Sequence, residues 1–528
     1  MGTHRSRPAR SAPGTGPRAR LGTLAVLLAS ALVACDEGDP APALPADEGV
    51  PFAGAASDAP DDGDRAPDGE EPGGPSATGG GASADEGVPF GEAAADADAP
   101  PAGEGVFLPR SDVRGIDALR PYRADGPWAP VLAGCALAEE IEDACTLEVL
   151  PFVAQSTPTP SVDDVMDRVL VTHDWMGERF EEALERAPDG LVQLFAATTS
   201  IAIGSTVRPS FYTGLTGGVR LDPEYLWQNV TEKATVSIDE DYRAPFRALL
   251  DFRDVQVRFV GTEPAFRYFP LDDRTERTFE DAQRLLLTLL YHELAHANDF
   301  LPPGTAGLLD PTLVPAEALY ANRSLWLSPQ LQGQYPQESA LLARLAEVRY
   351  RGETPTEGEA AIDAATAGAE FANDGALDFY AYASIREDFA ELFEAAMMKA
   401  IFDVDVHVAF TSQPPDPEDY GCEDLAVGWG SLRRLGDPSV ARRAGWAVAS
   451  IYGPGAALDA FVAGQSGTAA PMVPGTDFCT NLRDGLGIEA AGRRSRGAPH
   501  ASALPTALPW EPMSDAERHA LARGGAGR

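Results

Sequence analysis

The chain has 528 residues and is strongly acidic, with 81 Asp and Glu against 41 Lys and Arg and a formal net charge of -40. Nothing resembling a basic stripe is present, which excludes nucleic-acid binding as a function class. There is no Gly-rich phosphate loop and no G-x-S-x-G elbow, so a nucleotide enzyme and a serine hydrolase are also disfavoured.

At the N-terminus, basic residues up to Arg20 precede an apolar run, Leu21 to Val33, too short to span a bilayer as a mature helix. It ends in Leu32-Val33-Ala34-Cys35, which resembles a bacterial lipoprotein signal. The resemblance implies a signal peptide over 1–34 and a lipid anchor on Cys35; an ordinary secretory signal with a fortuitous cysteine is the other reading. A lipid anchor would place the protein in the cell envelope, membrane-attached, in the periplasm or on the outer surface. Asp36 after the anchor does not decide between inner and outer membrane.

Residues 36–106 hold 18 Asp and Glu against a lone Arg65 and almost no large apolar side chains, a composition that cannot bury a core. The segment 35–108 is therefore expected to be a disordered, self-repelling tether, in which Ala46–Phe52 recurs as Ala84–Phe90. Because it supplies much of the net charge, the total says little about any active site.

Residues 109–491 have the apolar content for one large domain or two closely joined lobes, and 492–528, rich in Pro, Ala and Arg, reads as a mobile tail. An even set of cysteines in an exported chain suggests disulfides, and proximity favours Cys135–Cys145 and Cys422–Cys479 among the three connectivities. Helical patterns cover Val162–Ala187 and Leu191–Ala197. Strand-like runs follow at Thr206–Tyr212, Val219–Leu221 and Val255–Val260. The fold class expected is α+β, mainly helical.

The next element carries the chemistry. Thr278 and Asp281 have capping-box spacing, helix formers continue from Phe279, and Pro302-Pro303-Gly304 stops the helix. Near its end stands Tyr291-His292-Glu293-Leu294-Ala295-His296, an H-E-x-x-H run. Helical residues four apart lie on one face about 6 Å apart, so both imidazoles can reach one metal ion with Glu293 beside it. Leu285, Leu289, His292 and His296 share one stripe, which is expected to face the core. Two core histidines satisfied by hydrogen bonds are the plainer alternative.

A catalytic zinc needs a third protein ligand and an open position. The position six residues after His296, where some zinc peptidases carry a His or Asp, is Pro302. The best candidate is Glu387, in a second helix running to about Phe402, with His407 as a fallback. Ser384 and Glu387 also have capping-box spacing, and Glu387, Glu391 and Glu394 share a face that a solvated acidic surface would equally produce. The segment between, about 302–378, reads as helices at Pro315–Ala340 and Leu341–Tyr350 that could roof the site. His173 reads as structural.

HELAHANDF followed by Y-x6-E-D-F-A-E resembles the gluzincin metallopeptidases, most closely the branch typified by anthrax lethal factor. The likeness covers two short segments, and the separation of His296 from Glu387 exceeds what gluzincins usually show, which implies a helical insertion. The resemblance implies a zincin-like catalytic domain with a small twisted sheet over the H-E-x-x-H helix, and one Zn2+ held by His292, His296 and Glu387. It further implies Glu293 as general base and Tyr380 as oxyanion donor, with Tyr382 as rival. Asp299 and Glu391 would orient the histidines. An edge strand, from Thr206–Tyr212 or Val219–Leu221, would pair with extended substrate, and Arg208 and Tyr212 would line the cleft or simply pack.

The function expected is thus a membrane-anchored zinc metallopeptidase of the cell envelope, a monomer acting on protein or peptide substrates. The alternatives are a non-catalytic zincin-fold envelope or adhesion lipoprotein, and a zinc amidase acting on a cell-wall crosslink.

Overall fold

The computed structural model describes residues 108–239, 244–267, 269–416 and 420–488. The leader, Cys35, nearly all of the tether and the C-terminal tail lie outside the described residues. Among those described, no helix is long and apolar enough to cross a membrane. The architecture is mixed α and β, with helices predominating and two small sheets.

The first sheet has the order β1-β2-β3-β5-β4, with strands Arg120–Pro121 (β1), Val169–Val171 (β2), Ile201–Ile203 (β3), Phe211–Thr213 (β4) and Gly218–Leu221 (β5). β2, β3 and β5 run parallel, whereas β1 and β4 are antiparallel edges. β2 and β3 are short apolar runs buried on both faces, as parallel strands tend to be, whereas β5 carries the half-buried Arg220 among its buried residues. β2 corrects the expectation of one helix over Val162–Ala187. Helices Val162–Met166 and Asp174–Glu185 flank it, because Val169-Leu170-Val171 gains more from a ladder with β3 than from helix propensity. Of the two runs offered as an edge, the outer one is β4, starting later than Thr206, and Val219–Leu221 lies inside it.

The second sheet is antiparallel throughout, in the order β10-β9-β8-β6-β7, with Phe252–Val260 (β6), Glu263–Pro264 (β7), Val404–Ser412 (β8), Val427–Leu432 (β9) and Ala470–Pro471 (β10). β6 and β8 pair along their whole length, from Phe252 opposite Ser412 to Val260 opposite Val404. One face of this pair, including Val406, Val408 and Phe410, joins the main core. The other, with Val255, Val257 and Phe259, packs on Leu425, Phe478 and Leu482 in a smaller core of its own.

The H-E-x-x-H helix spans Phe279–Phe300, with the reciprocal Thr278–Asp281 cap the spacing predicts. It packs on β4, β5 and, most extensively, on the helix Ile385–Phe402. Leu286, Leu287, Leu290 and Leu294 are fully buried, whereas Leu285 and Leu289 are only partly so. The histidine stripe faces the core as expected, with Leu285 and Leu289 packed against it and His296 buried, though His292 is only half-buried and this is the less enclosed side of the helix. Residues 302–378 are helical, with helices Pro315–Ala321, Leu327–Gln334, Ala340–Arg351 and Ala364–Asn373.

Both favoured cysteine pairs are joined, Cys135 to Cys145 and Cys422 to Cys479, at Cα separations of 5.1 and 5.2 Å. The second closes a longer loop, with a sequence separation of 57 against 10. Chain entropy then assigns it about 4 kcal/mol and the first about 3 kcal/mol. Replacing each pair by serines is expected to lower the unfolding free energy of the full chain in that order, measured by guanidinium titration; the reverse order contradicts loop closure as the source.

Candidate metal centre

Two helices build the centre. His292 and His296 stand one turn apart on Phe279–Phe300, and Glu387 occupies the first turn of Ile385–Phe402, where the two helices meet. Ser384 caps that second helix by accepting from the backbone N–H groups of Arg386 and Glu387. The Glu387 carboxylate does not complete the box; it turns to the histidines. Its Oε2 lies 3.1 Å from His292 Nε2 and 3.3 Å from His296 Nε2, and the two Nε2 atoms are 3.2 Å apart.

This near-equilateral triangle of donor atoms suits a small divalent cation. A tetrahedral ion with bonds of about 2.0–2.1 Å keeps its ligand atoms about 3.3 Å apart. Two imidazoles and one carboxylate are also the donor types such an ion prefers. His292 Nδ1 lies 3.3 Å from Glu391 Oε1, and an Nδ1–H donated there would, in the neutral ring, leave the Nε2 lone pair aimed at the triangle. Side-chain exposures of 16% for His292, 11% for His296 and 21% for Glu387 leave the centre open on one side.

The electrostatics are those of an enclosed cluster. Burial disfavours charge on His292, but its bonds to Glu387 and Glu391 outweigh that and hold the imidazole well above its ordinary range. Burial likewise opposes charge on Glu387, and the two imidazoles overcome it and hold the carboxyl well below. Glu293 is buried beside them; burial is the main cause that raises it, opposed by the histidines and by a hydrogen bond from the backbone N–H of Tyr212 on β4.

Glu391 has the orienting position expected of it, whereas Asp299 does not. Asp299 accepts from the backbone N–H and hydroxyl of Ser328, at 2.7 and 2.6 Å, and so fastens the first turn of Leu327–Gln334 to the end of the H-E-x-x-H helix. It makes no hydrogen bond to either histidine, because its side chain is committed to that neighbouring helix. Tyr380 lies beside the triangle, its ring near-parallel to that of His292 at a centroid distance of 6.4 Å. The hydroxyl of Tyr382 instead donates to Asp374 at 2.8 Å, which removes it as a rival.

The other two histidines among the described residues are structural. His407 is buried on β8, accepts from the Arg433 backbone N–H at 2.8 Å, and is pushed down to about 3 by burial and the nearby cations Arg433 and Lys399. It is not a fallback ligand. His173 bonds to Thr172 and Ser205 near the first sheet. Arg208 pairs with Asp222 and Glu224 instead of lining a cleft. Cys422, Glu423 and Cys479 also lie close enough together for a metal, but the disulfide removes the thiolates such a site would use.

Sequence reasoning missed the support behind Glu391. Residues facing inward from β6 alternate as Asp254, Gln256 and Arg258, which reads as a solvent face; here the pleat turns them to the inside. Arg258 reaches Glu394, and lies 3.8 Å from Glu391. Gln256 donates to Asp378, which burial and the charge of Glu391 push well above the usual carboxylate range. Asp378 and Glu391 feel one another across this interior, and the charge of Glu391 adds to burial in disfavouring charge on Asp378. Asp388, next to Glu387, is gripped by Arg443 through both oxygens and by Gln337 at 2.9 Å. The signal available was the charge density of the E-D-F-A-E-L-F-E run on a helix otherwise apolar.

Replacing Arg258 by Met would strand Glu391 and Glu394 in the interior without their cation. The expected loss of stability is about 3–5 kcal/mol, partly restored when Glu394→Gln is added. Chemical denaturation of the single and double variants measures it, and simple additivity would contradict the network. Comparison of the chain with protein-family models, with curated proteins and with solved structures found no match.

Proposed function

We propose that the chain is a zinc metallopeptidase of the gluzincin type, on a zincin-like catalytic domain, that hydrolyses peptide bonds in protein or peptide substrates. The observation that carries this reading is the donor triangle of His292, His296 and Glu387, with Glu293 buried against it. Those three residues would hold the ion. When bound, zinc supplies Lewis acidity, which brings the pKa of water towards about 7 and polarises a carbonyl.

The remaining work belongs to the chain's own groups. Glu293 takes a proton from the attacking water and returns it to the departing amide nitrogen, a role that benefits from burial because an enclosed carboxylate is a stronger base. Tyr380 beside His292 is the hydroxyl that donates to the developing oxyanion. Among the described residues β4 is the outer antiparallel strand of its sheet, and its Tyr212 backbone N–H contacts the general base, so extended substrate lying along that edge would present its carbonyl to the site. Glu391 fixes the ring of His292, and residues 302–378 form the helical insertion that the long spacing requires.

The lipobox resemblance places this activity in the cell envelope, on a monomer lipid-anchored at Cys35 and held off the membrane by the tether. Glu293→Gln is expected to retain about one zinc per chain and an unchanged far-ultraviolet spectrum while losing about 10²–10⁴-fold in rate on a proteome-derived peptide library. Glu387→Ala should lose the zinc itself. Metal analysis of the purified variants with a library digest reads both; full activity in Glu293→Gln, or full zinc in Glu387→Ala, removes the mechanism.

A further inference from the structure

Three buried polar atoms that find no hydrogen-bond partner among the described residues surround one ring, that of Phe300. They are Tyr212 Oη, Trp326 Nε1 and Arg386 Nε. Tyr212 stacks on Phe300 at 5.7 Å, and Trp326 meets it edge-on at 4.9 Å. The Arg386 guanidinium lies over both rings, 4.6 Å from the centroid of Phe300 and 4.9 Å from that of Trp326. Buried donors are ordinarily satisfied, and three orphans around one ring mark a place where an acceptor is missing.

Arg386 is unlike the other arginines near the centre. Arg208, Arg258 and Arg443 each hold a carboxylate, whereas Arg386 makes no ion pair among the described residues. Asp299 is close enough to feel its charge, but both Asp299 oxygens are already taken by Ser328. Stacked aromatic rings desolvate a guanidinium and fix its plane, leaving its edge free for two parallel bonds to a carboxylate. Trp326 Nε1 and Arg386 Nε are enclosed, but Arg386 and Trp326 are as residues only partly buried and neither Nη of Arg386 is among the enclosed orphans, so the outer edge of the guanidinium is the part open to solvent.

Its distance from the donor triangle is set by the helix. Phe300 stands one turn beyond His296, a rise of about 6 Å for four residues. An extended peptide advances about 3.3 Å per residue, so this spacing corresponds to about two residues of substrate.

We propose that Arg386, with the indole N–H of Trp326, forms a specificity subsite that binds a substrate carboxylate one or two residues from the bond to be cleaved. The carboxylate is an acidic side chain or the free C-terminus of a peptide. The words "bond to be cleaved" rest on the peptidase reading; the carboxylate site does not.

The test uses the full chain, zinc-loaded and carrying Glu293→Gln so that nothing is consumed. Fluorescence anisotropy compares three sets of alanine-rich octapeptides: neutral and amidated, amidated with a single Glu moved along the sequence, and neutral with a free C-terminus. One of the two acidic sets is expected to bind about tenfold or more tightly than the neutral set, and which one it is identifies the source of the carboxylate. Adding Arg386→Gln should bring that ratio to about one, Arg386→Lys should keep part of it, and Trp326→Phe, which deletes only the indole donor, should reduce it. Equal binding of all sets, no binding of any, or a preference that survives Arg386→Gln with zinc content unchanged overturns the proposal. A preference that depends on Arg386, in a protein whose Glu293-intact form cleaves none of these peptides, leaves the subsite standing and removes the peptidase reading.

Discussion

Glu391 and Glu394 on one helix, with Asp378 just before it, place three carboxyl groups in the interior, and Glu387 on the same helix stands half-buried at its edge. Charges in such surroundings persist only when paired, and the pairing here is specific. Arg258 serves Glu394 and Glu391, the imidazoles serve Glu387, and Asp378 is the carboxyl on which burial and Glu391 disfavour charge. The whole arrangement therefore depends on bringing cations to a single acidic helix face, and the two imidazoles on the neighbouring helix are half of that supply. A divalent ion between them fits the same demand. Were such an ion bound, it would take the place of protons on the histidines and leave the rings as neutral ligands.

The demand explains why the supporting elements are where they are. β6 cannot be an ordinary half-exposed strand, since its alternate residues must deliver Arg258 and Gln256 inward while Val255, Val257 and Phe259 cover a second core behind it. That second core is closed by the segment tied through Cys422–Cys479. Asp388 adds a separate fastening, held by Arg443 of the helix Pro438–Tyr452 and by Gln337 ahead of the helix Ala340–Arg351. Glu387 is thereby fixed from the residue beside it as well as from the residues it touches, which keeps a donor atom in place to within the tolerance a metal site needs.

How much of this was legible in the sequence follows from the range of the interactions. The two motif helices, their ends and their caps are local, and Thr278 with Asp281, Pro302-Pro303 and Ser384 mark them before any tertiary contact forms. The cysteine pairs are legible because each lies close in sequence among few alternatives. β2 was not, since Val169-Leu170-Val171 sits between two genuine helices and takes its identity from β3, thirty residues on. Neither was the inward face of β6, because period-two alternation tells which residues share a side and not which side is wet. Asp299 was misassigned for a similar reason: a carboxylate one turn from His296 looks like its partner until the helix Leu327–Gln334, contributed by a distant part of the chain, arrives to claim it.

The helical segment 302–378 has a consequence beyond spacing. By taking Asp299 with Ser328 and by placing Trp326 on Phe300, it converts the far end of the H-E-x-x-H helix from a polar terminus into an aromatic wall. Arg386, which faces that wall, makes no ion pair among the described residues and stands directly beside Glu387. An uncommitted cation next to a cluster of buried acids would ordinarily be drawn into it. Arg386 is kept out because it follows Ser384 at the start of the helix and points one hundred degrees or so away from Glu387, towards the rings. The same helical geometry that sends the glutamate to the histidines therefore sends its neighbour to the rings of Phe300 and Trp326, and sets a cation beside the acidic interior.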